Sequence, residues 1–313
     1  MTKMKKIILI ILAIAFIIVT GVYLLIPSSL KITNQITIEA SDASTFKFLT
    51  HENEWAKWWP GTKTNDSLYT YNGTTFHISK TTNGGVNLIF EKNGLSFNSE
   101  ISYLADNDYE VKITWLAESN GSANLLQKVN DYRHTRLLKD ETTAILHHLK
   151  VFLEDEKNTY GYKIYINKVK APILLTTATS LNTYPDVRYV YESINQLREQ
   201  AKAQGAKEAS FPMLNVNQTD DKQYEIRVAL PIDKLINPEG KSSINKMVPG
   251  GNLLVADVKG GPNTIHNAFS QIKVFMKDHR LISPAMPFES LVTDRSVEKD
   301  TAKWVTKIYY PIF

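Results

Sequence analysis

Residues 224–232 read YEIRVALPI, and residues 304–312 read WVTKIYYPI. Each stretch begins with an aromatic residue, continues with β-branched residues around a central basic residue, and ends in Pro-Ile. The alternation of apolar and polar residues in both stretches is typical of a half-buried β-strand. The repeat therefore predicts that the second half of the chain contains a duplicated unit, each copy of which ends in this strand.

The segments that precede the two strands also recur in the same order. The first copy has a strand region, a helix and two strands at residues 162–178, 185–204, 211–216 and 224–230. The second copy has a strand, a helix and two strands at residues 252–259, 263–278, 288–293 and 304–310. We therefore predict a βαββ unit used twice over residues 159–313. Both helices are expected on one face of the sheet, which leaves the other face free for a ligand groove.

Residues 30–158 predict a separate antiparallel domain. An alternating strand at residues 31–38 is followed by a short helix capped by Ser41, a five-stranded meander, a helical region from about residue 122 and an amphipathic helix at residues 140–156. Trp55, Trp58 and Trp59 lie between the short helix and the meander. These tryptophans are expected in the core, with a cavity mouth or a membrane-facing surface as the alternative. The fold class is therefore α+β.

The first 29 residues predict a membrane anchor. The run from Ile7 to Ile26 contains twenty residues without a charge and would span about 30 Å as a helix. A cleaved signal peptide is the alternative, but its apolar core is usually shorter, about 7–15 residues. Lysines 3, 5 and 6 precede the run and Lys31 follows it. This asymmetry predicts a single-pass protein of the cell membrane with a cytoplasmic N-terminus and extracytoplasmic (periplasmic) domains.

The overall composition excludes several classes of function. The chain of 313 residues is 43% apolar and 22% charged, which is typical of globular domains. Its net charge of +4 falls to +1 without the three N-terminal lysines, so we expect no nucleic-acid partner. There is no cysteine, and the seven histidines form no H-x-x-x-H pattern. We therefore expect neither a metal site nor a cofactor.

A resemblance to a known family is visible in the first domain. The pattern Ile36-x-Ile38-x-Ala40, the pair Trp55-x-x-Trp58 and the closing Leu146-x-x-Leu149-Lys150 resemble the START-like, polyketide cyclase-like (SRPBCC) superfamily. The resemblance implies a helix-grip fold around a hydrophobic cavity for a lipid or another apolar ligand. It supplies no shared set of catalytic residues.

Residues 159–313 resemble the GyrI-like effector-binding domain of AraC- and MerR-type regulators. The matching residues are Lys259-Gly260-Gly261-Pro262, then Glu289, and the ending at residues 306–312. The resemblance implies a groove that holds an amphipathic or cationic small molecule between aromatic rings and an acidic side chain. It places that acid at Glu289 and a groove tyrosine at Tyr309.

Strand alternation predicts which residues face this groove. Glu289 and Tyr309 are expected together on the open face, opposite Pro212 and Ala229 of the first copy. Lys307 shares the face of Tyr309 and is a candidate partner for Glu289. Tyr189 is a weaker candidate for the groove. The predicted ligand-binding residues are thus Glu289, Tyr309, Tyr189 and Lys307.

Three functions are compatible with these features. The first is a membrane-anchored protein that binds a hydrophobic or cationic small molecule, with Glu289 offsetting a positive charge. The second is a hydrolase of small reactive substrates, with Glu289 as general base and Tyr309 as donor to the oxyanion. The third is a non-catalytic interaction module in which side chains fill both domains.

Overall fold

The computed structural model describes residues 3–219 and 223–313, and the chain divides into two units, Met1–Glu154 and Asp155–Phe313. The helices of the first unit are α1 (Lys3–Leu25), α2 (Asp42–Thr50), α3 (Glu52–Trp55) and α4 (Leu125–Leu153). Its strands are β1 (Ser29–Ile38), β2 (Thr62–Lys63), β3 (Leu68–Tyr71), β4 (Thr74–Thr82), β5 (Gly85–Lys92), β6 (Leu95–Asn107) and β7 (Glu110–Asn120). They form one antiparallel sheet in the order β1-β7-β6-β5-β4-β3-β2.

The local sequence explains where the helices of this unit begin. The Ser41 hydroxyl accepts a hydrogen bond from the Ser44 backbone N–H at the start of α2, as the capping pattern predicts. The Asn124 side chain accepts hydrogen bonds from the backbone N–H groups of Leu126 and Gln127 at the start of α4. The last helix is therefore a single element that begins well before residue 140.

Aromatic side chains fill the interior of the first unit. Trp55 is fully buried, and its indole N–H donates a 2.7 Å hydrogen bond to the Leu49 carbonyl. The indole N–H of Trp58 donates a 2.9 Å hydrogen bond to the Phe48 carbonyl. Trp58 and Trp59 are both buried. The core position expected for the three tryptophans is confirmed. They pack with a larger buried set that includes Tyr69, Phe76, Phe90, Phe97 and Trp115.

Helix α1 is apolar from Ile7 onward, and its side chains from residue 6 to residue 19 are exposed. Its segment Lys6–Leu25 is long and apolar enough to cross a membrane by length and composition, a criterion that N-terminal signal sequences also meet. Near its C-terminal end, the Tyr23 hydroxyl donates a 2.8 Å hydrogen bond to the Ala123 carbonyl. The Lys128 ammonium lies 5.0 Å from the centre of the Tyr23 ring. These contacts connect the end of α1 to the beginning of α4.

The second unit has one eight-stranded antiparallel sheet. Its helices are α5 (Glu156–Tyr160), α6 (Val187–Ala203) and α7 (Pro262–Asp278), with a 3-10 turn at Thr301–Lys303. Its strands are β8 (Lys163–Lys168), β9 (Ile173–Leu181), β10 (Met213–Gln218), β11 (Tyr224–Pro231), β12 (Ser242–Lys246), β13 (Asn252–Lys259), β14 (Phe288–Leu291) and β15 (Val305–Ile312). The sheet order is β12-β9-β11-β10-β14-β15-β13-β8.

This order reads the same from both edges toward the centre. The first copy, β9-α6-β10-β11, and the second copy, β13-α7-β14-β15, meet at the β10–β14 pair. Pro231 lies opposite Leu174, and Pro311 lies opposite Leu253, so the two Pro-Ile endings occupy equivalent positions. Strand β12 was not predicted, because it is a short polar edge strand with no alternating apolar face.

Both long helices of this unit begin at residues that favour a helix N-terminus. The Asp186 carboxylate caps α6 by accepting a 2.7 Å hydrogen bond from the Tyr189 backbone N–H. Helix α7 follows Gly260-Gly261 and has Pro262 at its first position. Gly260 has a φ of +143°, and a Cβ atom there would lie 2.7 Å from the Thr264 hydroxyl. A residue with a side chain would therefore disturb the start of α7.

Candidate functional site

Helices α6 and α7 cover the same face of the second sheet. Leu214 lies directly opposite Glu289, and Glu289 lies opposite Ile308, so the three side chains share one face. Leu214 packs in the core beneath α6, and Ile308 packs in the core beneath α7. The face that carries Glu289 is therefore the face that carries the helices.

A groove of about 680 Å³ lies between the two helices, above the centre of the sheet. We call it the helix-side groove. Its apolar and aromatic lining includes Tyr184, Val187, Val190, Tyr191, Leu214, Ile265, Phe269, Leu291, Trp304 and Tyr310. Its charged or titratable lining residues are Asp186, Glu225, Arg227, His266, Lys273, Glu289 and Arg295. A mostly apolar groove with a few convergent polar groups is typical of small-molecule sites.

Glu289 and Arg295 form a buried ion pair at this groove. The Arg295 Nη2 atom lies 2.7 Å from Glu289 Oε2, and the two side chains are only 9% and 8% exposed. The same Nη2 atom donates a 2.7 Å hydrogen bond to the hydroxyl of the buried Thr306. The guanidinium also lies 4.8 Å from the centre of the Trp304 ring, within the range of a cation–π contact. The acid at the groove therefore already has a positive partner from its own chain.

The loop that carries Arg295 is held from the other side by Tyr191 of α6. The Tyr191 hydroxyl accepts a 2.8 Å hydrogen bond from the Arg295 backbone N–H and donates at 3.1 Å to the Thr293 carbonyl. Burial is the main cause that raises the pKa of Tyr191. Its hydroxyl therefore stays protonated at neutral pH and can fill both roles.

Two other tyrosines at the groove have raised pKa values. Tyr184 is 57% exposed, but desolvation beside the groove, followed by the negative charge of Glu289, raises its pKa, and its ring packs edge-on against Tyr224 at 5.7 Å. Burial raises the pKa of Tyr310 to about 12. Within the described residues, the Tyr310 hydroxyl and the Arg295 Nε atom are buried without a hydrogen-bond partner.

The predicted arrangement of Glu289 and Tyr309 on one open face is wrong. Tyr309 lies opposite Phe288 and stacks on its ring at 5.0 Å, on the face away from the helices. That face carries a second apolar cluster around Leu253, Val255 and Phe288. Glu289 and Tyr309 are therefore on opposite faces, so Tyr309 is not placed to donate to an oxyanion formed beside Glu289. The helix-side groove lies on the face opposite to the one on which a groove was expected.

The equivalence of Glu289 with Pro212 is also wrong. Tyr309 is the counterpart of Ala229 through the shared Pro-Ile ending, and they pair with Phe288 and Met213, respectively. Phe288 therefore corresponds to Met213, and Glu289 corresponds to Leu214. The two copies differ by an acid in place of a leucine at the centre of the sheet.

Lys307 and Tyr189 lie outside the lining of the helix-side groove. The Lys307 ammonium is 3.0 Å from both the Tyr165 hydroxyl and an Asp257 carboxylate oxygen. The hydrogen bond with Tyr165, together with Asp257, raises the pKa of Lys307 against the opposing effect of burial. Its partner is Asp257, and not Glu289 as expected. Tyr189 packs at the edge of the core beneath α6.

Arg295 was missed at the sequence level. It lies in the loop after β14, where no periodicity indicates the direction of a side chain. In the described part of the chain, no group of three or more His, Asp or Glu side chains is arranged to hold a metal ion.

No protein-family model matches the chain, and no curated protein matches its sequence. Several solved structures have a similar fold over part of it. The EcmrR C-terminal domain is 15% identical with a TM-score of 0.41, covering 49% of this chain and 98% of that one. SAV2435 bound to tetraphenylphosphonium is 11% identical with a TM-score of 0.33, covering 48% and 93% of the two chains. A hydrolase from Listeria innocua is 11% identical with a TM-score of 0.36, covering 52% and 98%. At these values, the similarities assign neither a ligand nor a reaction.

Proposed function

We propose that this chain is a single-pass membrane-anchored protein that binds an amphipathic small molecule in the helix-side groove of its C-terminal unit. The observation that carries the proposal is the groove itself. Its volume of about 680 Å³ falls in the range of ligand pockets, about 300–1,000 Å³. Its aromatic and aliphatic walls converge on one buried acidic residue, Glu289.

The resemblance of residues 159–313 to the GyrI-like effector-binding domain supports this proposal. That resemblance implies a small molecule held between aromatic rings and an acidic side chain at Glu289. Tyr184, Phe269 and Trp304 supply aromatic rings to the same groove as Glu289. Of the four residues predicted for ligand binding, Glu289 alone lines this groove, so we assign ligand contact to Glu289 and not to Tyr309, Tyr189 or Lys307.

The first unit is proposed to be a START-like domain whose interior is filled by its own side chains. Trp55, Phe76, Phe90 and Trp115 occupy the space beneath the sheet, and each is fully buried. The ligand is therefore assigned to the second unit.

A groove-blocking substitution tests the ligand site. His266 is exposed on α7 at the groove, so His266→Trp should narrow the groove without disturbing the core. We expect this full-length variant in nanodiscs to bind the uncharged probe triphenylphosphine oxide with at least tenfold lower affinity than the wild type. The affinity is measured by calorimetric titration, with empty nanodiscs as the blank.

The matched control is Val274→Trp, which adds the same ring at a 44% exposed position of α7 outside the groove lining. Its affinity for the probe should equal that of the wild type. Equal affinity of both variants and the wild type would contradict the groove assignment. Native mass spectrometry of the extracted wild type would identify any small molecule that remains bound.

The membrane anchor is proposed from the apolar segment Lys6–Leu25. Deletion of residues 1–26 should move the protein from the membrane fraction to the soluble fraction. The absence of cysteine allows orientation to be measured, because Lys241→Cys adds a single thiol at an exposed position. In intact cells, a membrane-impermeant maleimide should label this thiol if the domains are extracytoplasmic. Labelling only after lysis would reverse the proposed orientation.

A further inference from the structure

We propose that Arg295 occupies, within the protein itself, the position that a cationic ligand would take, so that the helix-side groove binds uncharged amphiphiles in preference to cations. This inference rests on the proposed function, since it names the ligand class of the same groove. It reverses the charge preference expected from Glu289 alone.

The contacts of Arg295 are those that a bound cation requires. A cation in an apolar site is stabilised by a carboxylate and by the face of an aromatic ring within about 6 Å. The guanidinium of Arg295 has both, at 2.7 Å from Glu289 and at 4.8 Å from the centre of the Trp304 ring. Its further hydrogen bond to Thr306 fixes the guanidinium in this position.

A free cation would have to displace Arg295 to reach Glu289. The guanidinium is bonded to Glu289 and to the Thr306 hydroxyl, so a ligand that displaced it would have to break both contacts, while the Tyr191 hydroxyl holds the Arg295 backbone beside the groove. A cation that entered without displacing it would lie close to a like charge in a poorly hydrated site, which is unfavourable. The tethered arginine therefore excludes cations from the carboxylate.

The remaining charged residues at the groove do not restore a preference for cationic ligands. Its basic residues are Arg227, Lys273 and Arg295, and its acidic residues are Asp186, Glu225 and Glu289. Apart from His266, these charges balance. Substitution of Arg295 by an uncharged residue leaves the groove with one excess negative charge, located at the buried carboxylate.

Two probes with the same three phenyl rings test the effect of charge. Triphenylphosphine oxide is uncharged and its phosphoryl oxygen can accept a hydrogen bond, whereas methyltriphenylphosphonium carries a positive charge and a methyl group at that position. For the full-length wild type in nanodiscs, we expect the neutral oxide to bind at least tenfold more tightly than the phosphonium. This comparison requires no variant. A wild-type preference for the phosphonium would overturn the inference.

Arg295→Gln should reverse the preference. The glutamine amide retains a donor for Glu289 and Thr306 while the positive charge is removed. We expect the ratio of phosphonium affinity to oxide affinity to rise at least tenfold. The double variant Glu289→Gln, Arg295→Gln is neutral again, so the rise in this ratio should disappear.

The outcomes distinguish this inference from the proposed function. If the wild type binds the oxide but Arg295→Gln, shown to be folded by circular dichroism, gains no phosphonium affinity relative to the oxide, the inference is wrong and the binding function remains. If Arg295→Gln does not fold, the inference is tested by the affinities of the wild type and of the double variant for the oxide and the phosphonium. If neither probe binds the wild type, both the proposed function and the inference are wrong.

Discussion

The buried pair of Glu289 and Arg295 predicts a large and non-additive effect on stability. Each side chain is less than 10% exposed, so each charge is stabilised mainly by the other. Removing one partner from a buried pair typically costs about 3–5 kcal/mol, because the remaining charge is left without compensation. We therefore expect Glu289→Leu and Arg295→Met each to destabilise the C-terminal unit by about 3–5 kcal/mol.

The double variant should be much more stable than the sum of the single effects predicts. Replacement of a whole buried ion pair by apolar side chains of similar size is often neutral or stabilising. Leucine is the residue at the equivalent position 214 of the first copy, so the sheet centre accepts it. The cost that remains is the lost donor to Thr306, about 1–3 kcal/mol. We expect the double variant to fall within about 3 kcal/mol of the wild type.

Fluorotryptophan NMR can measure the stability of the C-terminal unit of these variants in the full-length protein. Four of the five tryptophans lie in the first unit, and Trp304 is the single one in the second. In protein labelled with 5-fluorotryptophan, the 19F signal of Trp304, assigned by Trp304→Phe, reports unfolding of the C-terminal unit in urea. A local signal is needed because a protein of two units does not have to unfold in one step.

The exposed pair of Lys31 and Glu118 is the control. Its atoms are 2.6 Å apart, but its side chains are 62% and 61% exposed. Because this pair lies in the first unit, its cycle is read from the 19F signals of the tryptophans of that unit, and Lys31→Met with Glu118→Leu should give a coupling below about 1 kcal/mol. If the Glu289–Arg295 cycle gives a coupling as small as this, or if either single variant costs less than about 1 kcal/mol, the pair is not desolvated as we argue.

Further predictions concern three single substitutions. Burial raises the pKa of Tyr310 to about 12 from 10.0, so the unfolded state ionises first and the folded state loses stability relative to it as the pH rises from 10 to 12; Tyr310→Phe should reduce that loss in alkaline urea titrations. The same variant should gain about 1 kcal/mol at pH 7, because it removes a buried hydroxyl without a partner in the described residues. In the first unit, Glu141 accepts from Thr74 and pairs with Lys92, so Glu141→Gln should lower the urea midpoint of that unit by the equivalent of about 2 kcal/mol. Gly61→Ala should also lower that midpoint, since its Cβ would lie 1.7 Å from the Thr70 carbonyl oxygen; an unchanged midpoint would contradict that packing.

The duplicated unit could be predicted because its signals are local. Alternation defines strands β11 and β15, and their Pro-Ile endings occupy equivalent register positions. Asp186 caps α6, and Pro262 begins α7 after two glycines, as such residues do in many helices. These elements depend on neighbours in the chain, so the sequence alone specifies them.

The position of Glu289 could not be predicted in the same way. All four residues of β14 are buried, so this strand has no polar side from which alternation could assign a face. The prediction placed Phe288 and Val292 beneath the helices, and alternation then turned Glu289 to the helix-free face. Arg295 compensates the charge of the buried Glu289. It lies in a loop, however, and its contact with Glu289 forms only when the whole unit is folded.

The geometry of the duplication explains why the copies differ at this point. Leu214 and Glu289 are equivalent residues, and they also lie directly opposite each other where β10 meets β14. If both copies carried the acid, two carboxylates would face each other across neighbouring strands, which is destabilising. If both carried leucine, the groove would lack its buried acid. A single buried carboxylate at the centre therefore requires the two copies to differ, and the asymmetry at residues 214 and 289 follows from the position of the pair on the pseudo-twofold axis.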